Sequence, residues 1–373
     1  MIENSVIIPV FGNQKLVHNL LNTLLPTLDK QCEVIVVDDG HADMKIDPQL
    51  LPQGVIYLSN KENIGYSAAV NTAIDQAKGE YITTVNSDML MDVNWLKETR
   101  KTFREMSGIG MLGAKLVYPS NDRIMHAGIF FGKGFAFNAF RMTLSDDPLI
   151  NELTEVPALC DALATMSKDA VMNAGKYDEA YFTSVEDLEM CLRFRRMGLK
   201  NIYNPKIIGF HKTAASKEHR YKQITRDEQL FFQKWQSEIA DNTHEIFQKS
   251  LKRGIGPASK LPNQAYVVNL NRKNNQVTLE SFISISGIEV ISLFDYTSYV
   301  ENTPRYQQET NLELLEILPF GHLNLRYPVV YIVDFFISLK GNTYWQQNRR
   351  NQSDLVFDHA FNFFYLKDII KAS

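Results

Sequence analysis

The apolar residues of the first 110 positions form short continuous runs, separated by segments with helical spacing. Runs rich in valine and isoleucine predict strands at 5–10, 33–37, 55–58 and 81–85, and regularly spaced leucines predict a helix at 15–28. Strands that alternate with helices pair in parallel through right-handed crossovers. Runs that are apolar on both faces are typical of a sheet covered by helices on both sides. The pattern therefore predicts an α/β fold with a doubly wound sheet.

The middle of the chain is less regular, and a segment that contains glycine and proline ends it. An apolar run at 207–210 predicts a further strand, and a polar segment at 220–252 carries apolar residues at helical spacing. The run 253–257 contains two glycines and a proline and breaks this pattern. We therefore expect a first domain over 1–253 and a smaller second domain over 258–373.

The predicted second domain has strand-like apolar runs and many aromatic residues, but no recognisable catalytic pattern. Its fold is uncertain from the sequence. We expect an accessory domain in which most aromatic residues form its own core. The remaining aromatic residues would serve oligomerisation of identical chains or binding of an acceptor, because exposed apolar patches usually mark sites of contact with other molecules.

The composition excludes several classes of protein. The 373 residues are 45% hydrophobic and carry a net charge of −4, so there is no basic excess for binding nucleic acid. The three cysteines lack disulfide or metal-site spacing, which fits a reducing compartment. The first residues lack a signal-peptide pattern, and the most apolar run, 327–339, is shorter than the roughly 20 residues of a spanning helix. We expect a soluble cytoplasmic protein, with peripheral contact at the inner face of a membrane as an open alternative.

Polar residues fall at the carboxyl ends of the predicted strands, where ligands bind in sheets of this class. Pro9 and Val10 end the first strand, Asp38 and Asp39 the second, and Asp88 follows the fourth. Asp38 and Asp39 precede a glycine, which is good turn chemistry. A carboxylate at this position could also accept the N3–H of a uracil or thymine ring. Both interpretations stay open at this point.

A glycine precedes the helix predicted at 67–76. Asn63 and Gly65 lie in the loop before it, and Asn71 lies within it. The simple interpretation is a tight loop at a helix start. The functional interpretation is that the bare backbone of Gly65 and the helix N-terminus approach a nucleotide.

Asn86, Ser87 and Asp88 form a second polar cluster at a strand end. Such a tripeptide often forms a simple turn. Mg²⁺ or Mn²⁺ takes few carboxylates and is completed by phosphates and water, so one aspartate beside a diphosphate is enough. His211 follows the strand predicted at 207–210; such a histidine is usually structural, but imidazole is also a ligand for Mn²⁺.

Glu186 and Asp187 begin a further predicted helix. Ser184, with an acid three residues later, resembles a capping box. The first turn of a helix also has a rigid backbone, which can position a catalytic base. Asp187 could take the proton from a sugar hydroxyl, which is worth roughly 10²–10⁴-fold in rate.

Taken in order, these segments resemble the inverting, metal-dependent glycosyltransferases of family 2, which have the GT-A fold. The resemblance covers roughly residues 4–215. The matching positions are 5–10, 36–40, 63–65 with 71, 79–82 with 86–88, 175–179, 186–187 and 211. The resemblance implies a GT-A doubly wound mixed sheet, followed by a smaller C-terminal domain.

The resemblance also implies roles for individual residues. Asp39 would contact the base, Asp88 would hold Mn²⁺ or Mg²⁺, and Asp187 would be the catalytic base beside Glu186. Asn86 stands where the family has the first aspartate of its Asp-x-Asp motif, and would be a neutral contact to ribose or phosphate. His211 matches a position near the metal or the diphosphate. The nucleotide-binding set implied is Pro9, Val10, Asp38, Asp39, Asn63, Gly65, Asn71, Asn86 and Ser87, with Asp88 and His211 at the metal.

The implied enzyme moves a sugar from a UDP or dTDP donor to a hydroxyl of a glycan, glycolipid or glycoprotein. It would be a hexosyl-, N-acetylhexosaminyl- or rhamnosyltransferase of bacterial surface glycan or glycoconjugate synthesis. A nucleotidyltransferase is an alternative, but the segment 11–15 is a poor phosphate-binding loop. A non-catalytic scaffold is another, against which the presence of Asp88 and Asp187 argues.

Overall fold

Two units of α/β structure make up the chain: Met1–Asn138 with Leu144–Ala240, and Ala139–Thr143 with Asp241–Ser373. The computed structural model describes residues 2–41, 45–212, 221–255, 260–270, 276–295, 327–333 and 353–371. Within these ranges, no helix is both long enough and apolar enough to span a membrane.

The first unit contains strands β1 to β12 and helices α1 to α6. The strands are β1 (Asn4–Val10), β2 (Cys32–Asp38), β3 (Val55–Ser59), β4 (Tyr81–Val85), β5 (Met89–Met91), β6 (Ile109–Tyr118), β7 (Arg123–His126), β8 (Ile129–Gly132), β9 (Phe135–Asn138), β10 (Thr154–Glu155), β11 (Leu163–Ser167) and β12 (Lys200–His211). The helices are α1 (Gln14–Leu24), α2 (Tyr66–Gln76), α3 (Trp95–Glu105), α4 (Lys168–Asn173), α5 (Glu186–Arg196) and α6 (Tyr221–Trp235).

A mixed sheet forms the centre of this unit. In the described part of the chain its strand order is β10-β12-β6-β11-β4-β1-β2-β3, with β5 beside β12 and β7 beside β6. β1 pairs in parallel with β2 and β4, as the alternation of strands and helices predicts. β11 runs antiparallel to both β4 and β6, which makes the sheet mixed. The parallel strands β1, β2 and β4 therefore end at one edge, where Val10, Asp38 and Val85 lie.

The side chains of β1 explain why its sequence is apolar without alternation. Val6, Ile7 and Ile8 are all fully buried, because both faces of the strand are covered. α1 ends earlier than the leucine pattern predicts, at Leu24, and a 3₁₀ turn follows over Leu25–Thr27. Pro26 lies in that turn and cannot donate the backbone hydrogen bond that a longer helix needs.

The boundary between the units lies before the predicted one. The polar segment predicted at 220–252 forms α6 and α7 (Thr243–Ile255), and α7 belongs to the second unit. Phe247 of α7 packs edge to face on Phe357 and Phe363, with ring centroids 5.8 and 5.7 Å apart. This aromatic packing places α7 with the second unit, so that unit begins at Asp241.

The second unit is itself a small α/β sheet. Its further elements are β13 (Gln264–Asn269), α8 (Gln276–Ser286), β14 (Glu289–Asp295), β15 (Val329–Val333), β16 (Leu355–Asp358), β17 (Phe363–Tyr365) and α9 (Leu366–Lys371). The described strands follow the order β14-β13-β15-β16-β17, in which β17 alone is antiparallel to its neighbour. β14 and β15 thus lie on opposite sides of β13, as in doubly wound folds.

Candidate active site

Asp38 ends β2 as a fully buried side chain. Its Oδ2 accepts hydrogen bonds from the amide of Ile46 and the hydroxyl of Tyr57, each 3.0 Å long. Its Oδ1 is buried and has no hydrogen-bond partner among the described residues. Leaving a buried carboxylate oxygen without a donor is costly, so Oδ1 is a natural acceptor for a ligand.

Asp39 holds the loop that leads into α2. Its carboxylate accepts hydrogen bonds from Asn60 Nδ2 at 3.1 Å and from the amides of Ile64 and Gly65 at 3.0 Å. These bonds use three of the roughly four acceptor positions of a carboxylate. Burial raises the pKa of Asp39, and the bonds to the loop act in the opposite direction. Asp39 therefore organises the loop and keeps room for one more donor.

Gly65 caps the start of α2 with φ of 91° and ψ of 160°, a conformation essentially restricted to glycine. Its amide donates to Asp39 and also to Oδ1 of the exposed Asn63, at 3.1 Å. The next amide, of Tyr66, donates to the carbonyl of Phe182 at 2.7 Å. Asp39 and Phe182 thus accept these two amides, and the approach of a nucleotide to this helix start stays a prediction.

We expect Gly65→Ala to destabilise the protein more than the matched substitution Gly54→Ala. Both glycines have φ of +91°, but a Cβ at Gly65 would lie 2.7 Å from Phe182 Cδ2, whereas one at Gly54 meets nothing within 4 Å. A positive φ costs a residue with a side chain roughly 1–3 kcal/mol at either position, and the clash with Phe182 adds to this cost at Gly65 alone. Thermal unfolding measures it, and equal melting temperatures would contradict the tight contact.

Asn71 joins α2 to the loop at 175–182. The side chain is buried, its Nδ2 donates to the carbonyl of Tyr177 and to Glu179 Oε1 at 2.9 Å each, and its Oδ1 accepts the Tyr177 amide at 3.0 Å. Both donors of the amide are thus used inside the protein. Asn71 therefore positions the loop ahead of α5, and its predicted contact with the nucleotide stays a prediction.

Asp88 and His211 lie together although they are far apart in sequence. Pairing of β5 with β12 brings them to one place, and His211 Nε2 lies 2.9 Å from Asp88 Oδ1. Asp88 is partly exposed, as are the preceding Asn86 and Ser87. The residues predicted as metal ligands are therefore neighbours, and the two predicted phosphate or ribose contacts adjoin them.

The geometry of this pair fits a divalent metal ion. Nδ1 of His211 lies 2.8 Å from Met125 Sδ, a weak acceptor. With the ring proton on Nε2, this contact is a hydrogen bond to Asp88 Oδ1; with the ring proton on Nδ1, the lone pair of Nε2 is free to bind a metal ion beside the carboxylate. Neighbouring ligands about 2.1 Å from an octahedral ion are about 3 Å apart. No group of three or more His, Cys, Asp or Glu suited to a metal occurs among the described residues, so phosphates and water would complete the shell.

Glu186 and Asp187 occupy the first turn of α5, but the predicted capping box is not formed. The N-cap is Val185, which has φ of 61° and no side-chain cap bond. A β-branched residue in the left-handed region is strained, and such strain concentrates at functional sites. Asp187 instead accepts the Leu188 amide on Oδ1 at 2.8 Å and the Asp161 amide on Oδ2 at 3.3 Å.

Asp161 is a site residue that the sequence analysis missed. It is buried beside Glu186 and Asp187, and its Oδ2 accepts the hydroxyls of Tyr66 and Tyr177 at 2.9 Å each. A lone acid within the apolar run 156–166 was the available signal.

Burial controls the charge of this cluster. Desolvation is the main cause that raises the pKa of Asp161, Glu186 and Asp187, and repulsion by Asp161 raises the pKa of Glu186 and Asp187 further. Glu186 Oε2 is buried and has no partner in the described part of the chain. Within the same part, no lysine or arginine forms an ion pair with any of these carboxylates.

Comparison with known proteins decides the family. Residues 5–173 match the family described as Glycosyl transferase family 2. This part of the chain belongs to glycosyl transferase family 2. The predicted resemblance is thereby confirmed.

Two relatives of this chain have names that state a biosynthetic role. The O-antigen biosynthesis protein RfbC of Myxococcus xanthus is 25% identical over 230 residues, which are 57% of this chain and 17% of that protein. The poly(ribitol-phosphate) beta-glucosyltransferase of Bacillus spizizenii is 30% identical over 189 residues, which are 44% of this chain and 29% of that protein. The chain therefore spans less than a third of the length of either relative.

A solved structure supports the fold of this chain. GalNAc-T7 with UDP, GalNAc and Mn²⁺ superimposes with a TM-score of 0.53 at 12% identity, covering 87% of this chain and 59% of that one. At this identity the likeness concerns the fold alone. The predicted GT-A mixed α/β sheet is confirmed.

Proposed function

We propose that the chain transfers a sugar from a nucleoside diphosphate donor to a hydroxyl acceptor, with a divalent metal ion and with inversion at the anomeric carbon. The observation that supports this most strongly is the 2.9 Å approach of Asp88 to His211 in a family 2 domain. The partly buried carboxylate of Asp187, at the strained start of α5, supports the same chemistry.

Asp38 and Asp39 are proposed to bind the nucleobase of the donor. Asp38 Oδ1 lacks a donor among the described residues, and Asp39 has an acceptor position left. A uracil or thymine ring offers one N–H on that edge, which favours a UDP or dTDP donor. Val10 lies beside them, since its carbonyl accepts the Asp39 amide at 2.8 Å, and Pro9 precedes it on β1.

Asp88 and His211 would hold the metal ion, with Asn86 and Ser87 beside the ribose and phosphates. The charge of such an ion offsets the charge that develops on the departing diphosphate. Mn²⁺ is present in the GalNAc-T7 structure, and Mg²⁺ also accepts oxygen ligands of this kind.

Asp187 would take the proton of the acceptor hydroxyl as that oxygen attacks the anomeric carbon. A raised pKa brings a carboxylate closer to the operating pH, which improves general-base catalysis. Glu186 is more deeply buried, and burial and its acidic neighbours raise its pKa well above the ordinary value. Glu186 therefore keeps its proton more readily, which leaves Asp187 as the base.

The class of sugar is a hexose, an N-acetylhexosamine or a rhamnose, and the acceptor is a glycan, glycolipid or glycoprotein. The names of the two relatives, one in O-antigen biosynthesis and one acting on poly(ribitol phosphate), favour a bacterial surface glycan or glycoconjugate.

The second unit is proposed to join identical chains. β14 ends the sheet in its described part, and its Ile291 and Leu293 are 39% and 45% exposed on one face. Apolar side chains on an edge strand favour contact with another chain. Light scattering of the full chain tests this, and a strict monomer would contradict it.

A donor panel tests the proposed function. In the presence of Mn²⁺, we expect one UDP- or dTDP-sugar to raise the melting temperature, because a ligand at 100 times its Kd adds roughly 2.7 kcal/mol of stability. Omission of the metal is the control and should remove the shift. Stabilisation by nucleoside triphosphates and sugar phosphates alone would favour the nucleotidyltransferase instead.

A further inference from the structure

Asp161 lies between Tyr66, at the start of α2, and the proposed catalytic base Asp187. We propose that Asp161 is a positioning residue for Asp187: two tyrosines hold it so that its amide fixes the base and its carboxylate keeps a negative charge beside it. This inference rests on the proposed function, in which Asp187 accepts the proton.

The two tyrosines fix Asp161 from different elements. Tyr66 is the first residue of α2 and follows Gly65, while Tyr177 lies in the loop that Asn71 holds. Both hydroxyls donate to the same oxygen, Oδ2, at 2.9 Å. Their rings meet edge to face, with centroids 6.3 Å apart. The carboxylate therefore cannot turn away without breaking two hydrogen bonds.

The backbone of Asp161 and Ala162 forms hydrogen bonds both with Asp187 and with β4 and the residues that follow β4. The Asp161 amide donates to Asp187 Oδ2 at 3.3 Å, and the Asp161 carbonyl accepts the Thr84 hydroxyl of β4 at 2.8 Å. The carbonyl of Ala162 accepts the amide of Asn86, which precedes the proposed metal ligand, at 3.0 Å. One short segment thus sets the distance between β4 and the start of α5.

The surroundings of Asp187 make the charge of Asp161 important. Among the described residues, the titratable groups that face the pair are Tyr66 on α2, Tyr177 and Cys160 on loops, and Glu186 and Cys191 on α5, while Asp227 on α6 faces Glu186. None of these is a cation at neutral pH. After desolvation, the charge of Asp161 is the largest cause that raises the pKa of Asp187, to about 8. The two tyrosine hydroxyls that donate to Asp161 favour its ionised form and lower its pKa, so Asp161 carries the charge beside Asp187.

Asp161→Asn tests the inference. The substitution keeps the backbone amide and the side-chain volume but removes the charge that opposes ionisation of Asp187. We expect the midpoint of Asp187 titration to move to lower pH by about 1 pH unit or more. Carbon NMR of protein labelled at the aspartate carboxyl carbons measures this, with Asp187→Asn to assign the signal. In a turnover assay, the acid limb of kcat should move the same way with little change in the donor KM.

Asp169→Asn is the matched control, because Asp169 is exposed in the first turn of α4 and should leave the midpoint unchanged. If Asp161→Asn does not fold, Tyr177→Phe replaces it: without this donor, Asp161 keeps its proton to higher pH and the Asp187 midpoint falls. An unchanged Asp187 midpoint in the folded variant overturns the inference. The NMR readout needs no substrate, so absence of turnover with every donor would count against the proposed function alone.

Discussion

Asp187→Asn is expected to lower turnover by roughly 10²–10⁴-fold while donor binding stays near normal. The amide has the shape of the carboxylate and can still accept the Leu188 amide hydrogen bond. It cannot take a proton from the acceptor. Because Asp187 has a raised pKa, wild-type kcat should rise with pH as this carboxylate ionises, and the rise should be absent from the variant.

The measurement is kcat against pH for both proteins, together with the donor Kd by calorimetry. Asp169→Asn controls for the loss of an acidic side chain, since it removes an exposed one. Turnover within a few-fold of wild type would mean that Asp187 only shapes the start of α5.

Asp88→Ala is expected to weaken metal-dependent donor binding by about 100-fold or more. The substitution removes one of the two proposed protein ligands and would leave His211 as the remaining one. The fold should persist, because Asp88 is partly exposed at the end of the sheet. Its loss therefore separates metal binding from stability.

Calorimetry with UDP or dTDP, with and without Mn²⁺, tests this second prediction. Asp169→Ala is the control for removal of an acid. Equal donor affinity of wild type and Asp88→Ala in the presence of Mn²⁺ would remove Asp88 from the metal site.

The parts of the fold that local sequence encodes were predictable. The buried run of β1 reads as a strand because Val6, Ile7 and Ile8 leave no polar face. Asp39 and Asp88 were recognisable because strand ends at one edge of a parallel sheet are close together. The fold of the second unit was not predictable, since the order of β13 to β16 depends on contacts between distant segments.

Side-chain contacts across the sheet could not be predicted from the sequence. Asp161 reaches Asp187 because β11, which follows Asp161, lies between β4 and β6. The roles of Gly65 and Asn71 in holding loops also depend on distant partners, Phe182 and Tyr177. Short sequence motifs indicate which residues can take part in catalysis or ligand binding. They do not show which of these residues already form hydrogen bonds with other parts of the protein.

Release of nucleoside diphosphate from a donor sugar by the full chain tests the central claim most directly. In the presence of Mn²⁺ and an extract that contains the acceptor, we predict that the wild-type protein releases UDP or dTDP from one nucleotide sugar of the donor panel. Asp88→Ala and Asp187→Asn should each release about 1% of that amount or less. The contrary result is release that is independent of Mn²⁺ and unchanged by both substitutions.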